Sequence, residues 1–192
     1  DIENTILSSS VGRPVPRKGF GWFAVNVLPE LKNVEYAVVG TQMDARNLIL
    51  FLKRIFPSFL FEGLCKMLGV PLDTVLLNRL AEKDDSKVTV LGKVPEEFLT
   101  QFYLHTDLFV MPNLHVKGDF EGFGLVAMEA GSLGAVCLAA NVDGIPSAIK
   151  DGENGYLLES GNPTEWAKKI EELSTRNDLK QKKERYELYY TS

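Results

Sequence analysis

Three short runs, "YAVV" at 36–39, "LFVM" at 108–111 and "AVCLAA" at 135–140, are apolar without a break. That property constrains this chain more than any other. A strand with one wet face alternates apolar and polar residues, whereas a strand covered on both faces does not. Between these runs lie stretches of helical spacing. From Phe20, apolar residues recur at Phe23, Ala24, Val27, Leu28 and Leu31, the period of a helix with one buried side. Strands separated by helices build βαβ units, so the fold class expected is α/β, a Rossmann-like parallel sheet with helices on both faces. In such sheets ligands bind beyond the carboxyl ends of the strands.

The remaining elements follow in order. "TILSSSVG" reads as the first strand, "EYAVVG" as the second and "KVTVLG" as the next. "PEEFLTQFYLHT" is a helix opened by Pro95, with acids in its first turn. "GLVAMEAGSLG" is a short helix and "NGYLL" a short last strand. "NPTEWAKKIEELS" is a helix with Pro163 near its start and Asn162 as N-cap. Residues 41–86 are less regular. "LILFLKRIFPSFLF" is apolar around Lys53 and Arg54 and is broken by Pro57. It reads as a helical excursion packed on its own domain. The other reading is a surface that meets a membrane, a partner or a further domain, since basic-apolar segments lie on anionic lipid. The charged tail "RNDLKQKKERYELYYTS" is expected to be helical and exposed at first, and no site is read from it.

The 192 residues suffice for one domain of ordinary size and are marginal for two. The net charge of -5 argues against a nucleic-acid partner, whose footprint needs a basic excess. Cys65 and Cys137 form no CxxC pair, and His105 and His115 are the only histidines. Neither a zinc site nor a disulfide framework is expected; buried thiols in a reducing compartment are. "DIENTILSSS" lacks the basic region and apolar run of a secretory leader, and no stretch is long and apolar enough to span a bilayer. The expectation is a soluble, cytoplasmic protein.

Two segments carry candidate chemistry. In "VGRPVPRKG", Gly12 allows a sharp turn, and Arg13 and Lys18 place two cations after a strand and before a helix. A diphosphate suits that arrangement, because arginine grips two oxygens at once and a helix start is electropositive. A solvated basic turn has the same composition. In "GDFEGFGLVAMEAG", Glu121 and Glu129 stand eight residues apart. On one continuous helix they would be rotated by about 80° and separated by roughly 12 Å along the axis. Gly122 and Gly124 argue against that helix. The expectation is a loop holding Glu121, then a helix starting near Gly124 and Leu125 with Glu129 one turn inside it. A carboxylate accepts two hydrogen bonds at once, which suits the vicinal hydroxyls of a sugar or ribose. The alternative is an exposed Glu129 and a Glu121 that only favours the helix dipole.

Taken together, "VGR…RKG", "VTVLGKVPEEFLTQFYLHTDLFVMPN", "EGFGLVAMEA" with its Glu-x7-Glu spacing, and "DGENGYLL" occur in one order. The chain from about Ile6 to Leu173 resembles the C-terminal, donor-binding domain of GT-B retaining glycosyltransferases, nearest to glycosyltransferase family 4 (glycosyl transferases group 1). The resemblance implies retaining transfer of a hexosyl group from a nucleoside-diphosphate sugar to an acceptor hydroxyl. It implies that Gly12, Arg13 and Lys18 meet the donor diphosphate, and that Lys93 and Val94 meet the base through backbone groups. Glu121 would lie beside the donor sugar, with Phe123, Gly124, Leu125 and Val126 along sugar and phosphate, and Glu129 would hold the ribose. Glu121, Arg13 and Lys18 are the candidate catalytic residues. No metal or other cofactor is expected, and no DxD motif is present.

The sequence departs from the family pattern in three places. "DGIPSAI" has Asp143 for a glycine and Ser147 for the glutamate of "GGxPE". "SLGAVCLAA" lacks a common proline, and the 41–86 stretch is longer than usual. An N-terminal acceptor domain is missing, so the chain reads as a single donor domain of a longer transferase, inactive alone. In that parent, peripheral contact with a membrane at the cytoplasmic face is one use for the apolar stretch. Two other functions share the features: a non-catalytic nucleotide-sugar binding module and a sugar-nucleotide epimerase of GT-B shape.

Overall fold

The computed structural model describes residues 5–40 and 72–174, together with Leu179 and Glu184. Six strands, β1 (Ile6–Val11), β2 (Val34–Val39), β3 (Val88–Gly92), β4 (Leu108–Met111), β5 (Val136–Ala140) and β6 (Tyr156–Leu158), form one sheet in the order β3-β2-β1-β4-β5-β6. Every pairing is parallel, with Ile6 opposite Val34, Ser8 opposite Leu108 and Leu108 opposite Val136. From β1 the chain steps outward to β2 and β3, then returns to the other side of β1 and steps outward again. That reversal leaves a crevice at the carboxyl ends of β1 and β4.

Both faces are covered, as the unbroken apolar runs require. Within β4, Leu108 and Val110 enter one core layer and Phe109 and Met111 the other, the alternation that a strand imposes. The first layer takes Phe23 from helix α1 (Phe20–Asn26), Leu77 from α2 (Leu72–Ala81) and Trp166 from α5 (Pro163–Leu173). The second takes Phe102 and Tyr103 from α3 (Glu96–His105) and Ala127 from α4 (Leu125–Ser132). Trp166 anchors its layer edge-on to Phe23, and its indole N–H donates to Glu159 O at 3.0 Å. Asn162 caps α5 by accepting the Glu165 N–H at 3.2 Å, as expected.

Strand β1 is central yet carries three consecutive serines, Ser8, Ser9 and Ser10, all fully buried. Each hydroxyl is satisfied, as burial demands. Ser8 donates to Glu35 O, Ser9 pairs with Thr106, and Ser10 donates to Val110 O while accepting from the Tyr36 hydroxyl at 2.8 Å. Burial pushes the Tyr36 hydroxyl far above its ordinary range, so it stays a donor.

Three elements differ from the sequence expectation. The helix from Phe20 stops at Asn26 and continues as a 3-10 turn over Leu28–Glu30, because Pro29 has no N–H to extend the ladder. Within 41–86, the described part contains a regular helix, α2, whose Leu77 is fully buried against α1 and β3. Residues 41–71, with Cys65 and the apolar basic stretch on which the packing expectation falls, lie outside the described residues. In the tail, Leu179 is helical and buried in the first layer rather than exposed, and Glu184 is helical and exposed. Among the described residues no helix is long and apolar enough to cross a membrane. Cys137 is a free, buried thiol, pushed up to about 12 by burial.

Candidate functional site

The crevice at the β1/β4 junction is built by two loops held at backbone contact. The chain leaves β1 at Gly12, whose φ of 142° suits glycine, and Gly12 N–H donates to Val39 O at 2.9 Å. A short 3-10 turn, Pro16–Lys18, then brings two cations inward and ends at Gly19 with φ of 68°. A β-carbon on Gly19 would fall 1.9 Å from Pro112 O. The basic turn thus lies directly on the exit of β4, and Leu114 N–H donates to Arg17 O at 2.9 Å.

The loop after β4 presents Glu121 to these cations. Lys18 Nζ stands 2.7 Å from Glu121 Oε2, and Arg17 Nη1 pairs with the same oxygen. Arg17 Nε also meets Asp119 Oδ1 at 2.8 Å. Asn113, almost wholly buried at the end of β4, donates from Nδ2 to Glu121 Oε2 at 3.1 Å. The side chains of Arg17, Lys18 and Glu121 are 18%, 11% and 13% exposed, so the cluster is partly desolvated and its charges are felt strongly. Burial pushes the Glu121 carboxyl up, but the bond and charge of Lys18, the charge of Arg17 and the Asn113 amide outweigh it and hold it below the ordinary 4.5.

The predicted residues are distributed unevenly about this cluster. Lys18 and Glu121 meet. Arg13 is exposed on the same turn, whereas its neighbour Arg17 is the arginine that touches Glu121. Gly124 is the N-cap of α4 at a left-handed φ of 67°, so the helix starts where the glycines indicated. Phe123 and Leu125 are exposed on the rim, Val126 is half-buried, and Phe120 joins the rim. Glu129 lies about one turn into α4, exposed, and accepts from the Tyr103 hydroxyl at 3.4 Å; it does not share the Glu121 cluster. Lys93 and Val94 follow β3, and β3 is tied to the crevice through Gly40 N–H, which donates to Gly92 O. Sequence reasoning passed over Arg17, Asn113 and Asp119. The signal available was the adjacency of Arg17 to Lys18 in "RKG", which offers two cations on one turn. Among the described residues no group of three or more histidine, cysteine or acidic side chains is placed to hold a metal ion.

The family model for glycosyl transferases group 1 matches residues 71–188, more than half of the chain and the whole Glu121 loop. The chain belongs to that family. It is 30% identical over 168 residues to the D-inositol 3-phosphate glycosyltransferase of Mycolicibacterium smegmatis, covering 77% of this chain and 37% of the relative. The enzyme of the same name from Corynebacterium diphtheriae is 39% identical over 87 residues, 45% of this chain and 19% of the relative. The chain therefore spans well under half the length of the curated relatives it matches. Among solved structures, HepE of Anabaena in complex with UDP superposes with a TM-score of 0.67 at 19% identity, over 99% of this chain and 45% of HepE. The C-terminal domain of LpcC, a glycosyl transferase group 1 family protein of Francisella tularensis, does so with a TM-score of 0.63 at 22% identity, over 97% of this chain and 84% of that domain. The fold of this group 1 domain is thus one Rossmann-like half of a GT-B glycosyltransferase.

Proposed function

We propose that this domain is the donor-binding half of a retaining family 4 hexosyltransferase that uses a nucleoside-diphosphate sugar without a metal. The observation that carries the reading is the Lys18–Glu121 pair with Arg17 beside it, at the crevice where such sheets hold ligands. Lys18 and Arg13 bind the diphosphate, Glu121 stands at the sugar, Glu129 takes the ribose hydroxyls, and the backbone around Lys93 and Val94 meets the base. The UDP of the HepE complex supports a nucleotide ligand for this fold, and the lengths of the relatives support an acceptor domain elsewhere in a longer parent, for which a cytoplasmic location is part of the proposal.

In the transfer, the bond between the anomeric carbon and the diphosphate oxygen breaks and the diphosphate departs with the electron pair. The acceptor oxygen bonds to the same carbon, on the same face, and its proton passes to the departing phosphate side. Lys18 and Arg13 act by neutralising the charge that grows on the leaving group, a stabilisation worth roughly 100-fold or more in rate. The test is Arg13→Glu/Lys18→Glu in the full-length parent: kcat/KM should collapse, and an unchanged value would sink the assignment. Titration of this chain with UDP-, GDP- and ADP-sugars identifies the base, and no binding by any of them at millimolar level would count against a donor domain.

A further inference from the structure

The turn after β5 reaches back across the crevice to the Glu121 loop. Asp143 has φ of 51°, the left-handed region that costs a non-glycine residue about 1 kcal/mol. Its side chain is only 10% exposed. Asp143 Oδ2 accepts the backbone N–H of Glu121 at 3.0 Å, and the next residue, Gly144, donates its N–H to Glu121 O at 3.3 Å. The two segments touch so closely that a β-carbon on Gly144 would fall 1.8 Å from Gly122 O. His115 Nδ1 lies 3.9 Å from the other oxygen, Asp143 Oδ1.

Glu121 is thus seized twice. Arg17, Lys18 and Asn113 hold its carboxylate from the β1 and β4 side, and Asp143–Gly144 hold its peptide from the β5 side. The loop has no ladder of its own, so the origin of the Glu121 side chain is set by this second grip. Glycine would adopt the same φ without strain but would offer no acceptor. One oxygen of this strained aspartate faces His115 and the other accepts the Glu121 N–H at 3.0 Å, so holding that N–H is a role the carboxylate fills directly.

We propose that Asp143 is a positioning residue for Glu121, whose acceptor fixes the Glu121 peptide and so the reach of its carboxylate toward the donor sugar. The sugar part of this inference rests on the function proposed above; the grip on the peptide does not. Two variants separate them. Asp143→Gly keeps the backbone conformation and removes the acceptor, whereas Asp143→Asn keeps an acceptor and tolerates left-handed φ.

The first measurement is amide hydrogen exchange at Glu121, relative to Leu138 in β5 as the reporter of global opening. Asp143→Gly should speed Glu121 exchange by about tenfold over that reference, and Asp143→Asn should leave it near wild type. Equal exchange in wild type and the glycine variant overturns the proposal. An equal rise in both variants also overturns it, because the amide retains the acceptor. The second measurement is calorimetric binding of UDP and UDP-glucose. The glycine variant should lose affinity for UDP-glucose by several-fold while UDP binding holds, and a loss shared equally by both probes would contradict a role at the sugar. If wild type binds neither probe, the uridine donor fails, and the exchange measurement still decides the role of Asp143.

Discussion

Lys18 and Glu121 form a 2.7 Å ion pair between the exits of β1 and β4, and Arg17 shares the same carboxylate oxygen. The cationic turn therefore carries its own counter-ion. A diphosphate arriving there competes with Glu121 for Lys18, so part of the attraction of the turn is already spent inside the protein. Charge-assisted bonds of this kind are worth about 1.5–3 kcal/mol.

Glu121→Gln removes that internal competitor. It should tighten binding of UDP, used as a probe, by about tenfold at low salt, with a smaller gain at high salt. If the proposed function holds, the same substitution in the full-length parent should lower turnover, because Glu121 is the group proposed to stand beside the sugar. Calorimetry at two salt concentrations checks the first part. Unchanged or weaker UDP binding would mean that Glu121 does not restrain the cations.

The same pair makes stability depend on acid. The Glu121 carboxyl is depressed in the folded chain, burial raising it but Lys18, Arg17 and Asn113 lowering it further. A depressed acid contributes stability that is present above the unfolded value and lost as pH falls through the folded one. The melting temperature of wild type relative to Glu121→Gln should therefore be highest near neutral pH and decline below the ordinary 4.5. A difference that is flat or grows in acid would contradict the lowered carboxyl.

Much of this is legible in the sequence alone. The strands could be read because both of their faces are buried, so "LFVM" and "AVCLAA" carry no alternation to confuse. Gly122 and Gly124 placed Glu121 in a loop and started α4 at Leu125. The early end of α1 was missed because the apolar period runs on through Leu31 while Pro29 removes the bond that would continue it. Helix α2 is obscured because residues 41–86 read as one irregular segment, although Asp73, Asn78 and Arg79 alternate with buried Val75 and Leu77. Arg17, despite its place beside Lys18 in "RKG", and Asp143 were harder to assign for another reason. They act on Glu121 from 104 and 22 residues away, and Asp143 could be noted only as a departure until its φ and its 3.0 Å bond gave it a role.

Gly19 and Gly92 offer a matched pair for testing how closely the two site loops approach. Their φ values, 68° and 67°, are nearly the same, so alanine pays the same conformational cost at each, about 1 kcal/mol. At Gly92 an added β-carbon meets nothing within 4 Å, but at Gly19 it meets Pro112 O at 1.9 Å. Gly19→Ala should cost roughly 3 kcal/mol or more and weaken UDP binding by shifting Lys18 away from the crevice, while Gly92→Ala stays near 1 kcal/mol. Denaturant midpoints at unchanged slope give both values. Equal losses would show that the basic turn does not rest on the exit of β4.

Asp73, in the first turn of α2, should respond to pH in the opposite sense to Glu121. Its carboxyl is pushed up by burial, which the Gly21 N–H at the start of α1 only partly offsets. Its Oδ2 is buried and meets no donor among the described residues. A raised acid is most compatible with the fold when protonated, so this contribution is present below the unfolded value and lost as pH rises through the folded one. Asp73→Asn keeps an acceptor for Gly21 and removes the charge. It should raise the melting temperature near neutral pH, with a gain that disappears below the ordinary 3.8, where wild type is itself neutral. The dipole of α1 opposes this, since a negative charge near a helix start gains about 0.3–1 kcal/mol. Desolvation is the larger effect at a carboxylate with a buried, unpaired oxygen. A lower melting temperature for Asp73→Asn at neutral pH would show that the dipole wins, and that the ionised carboxylate fastens α2 to the start of α1 behind the basic turn.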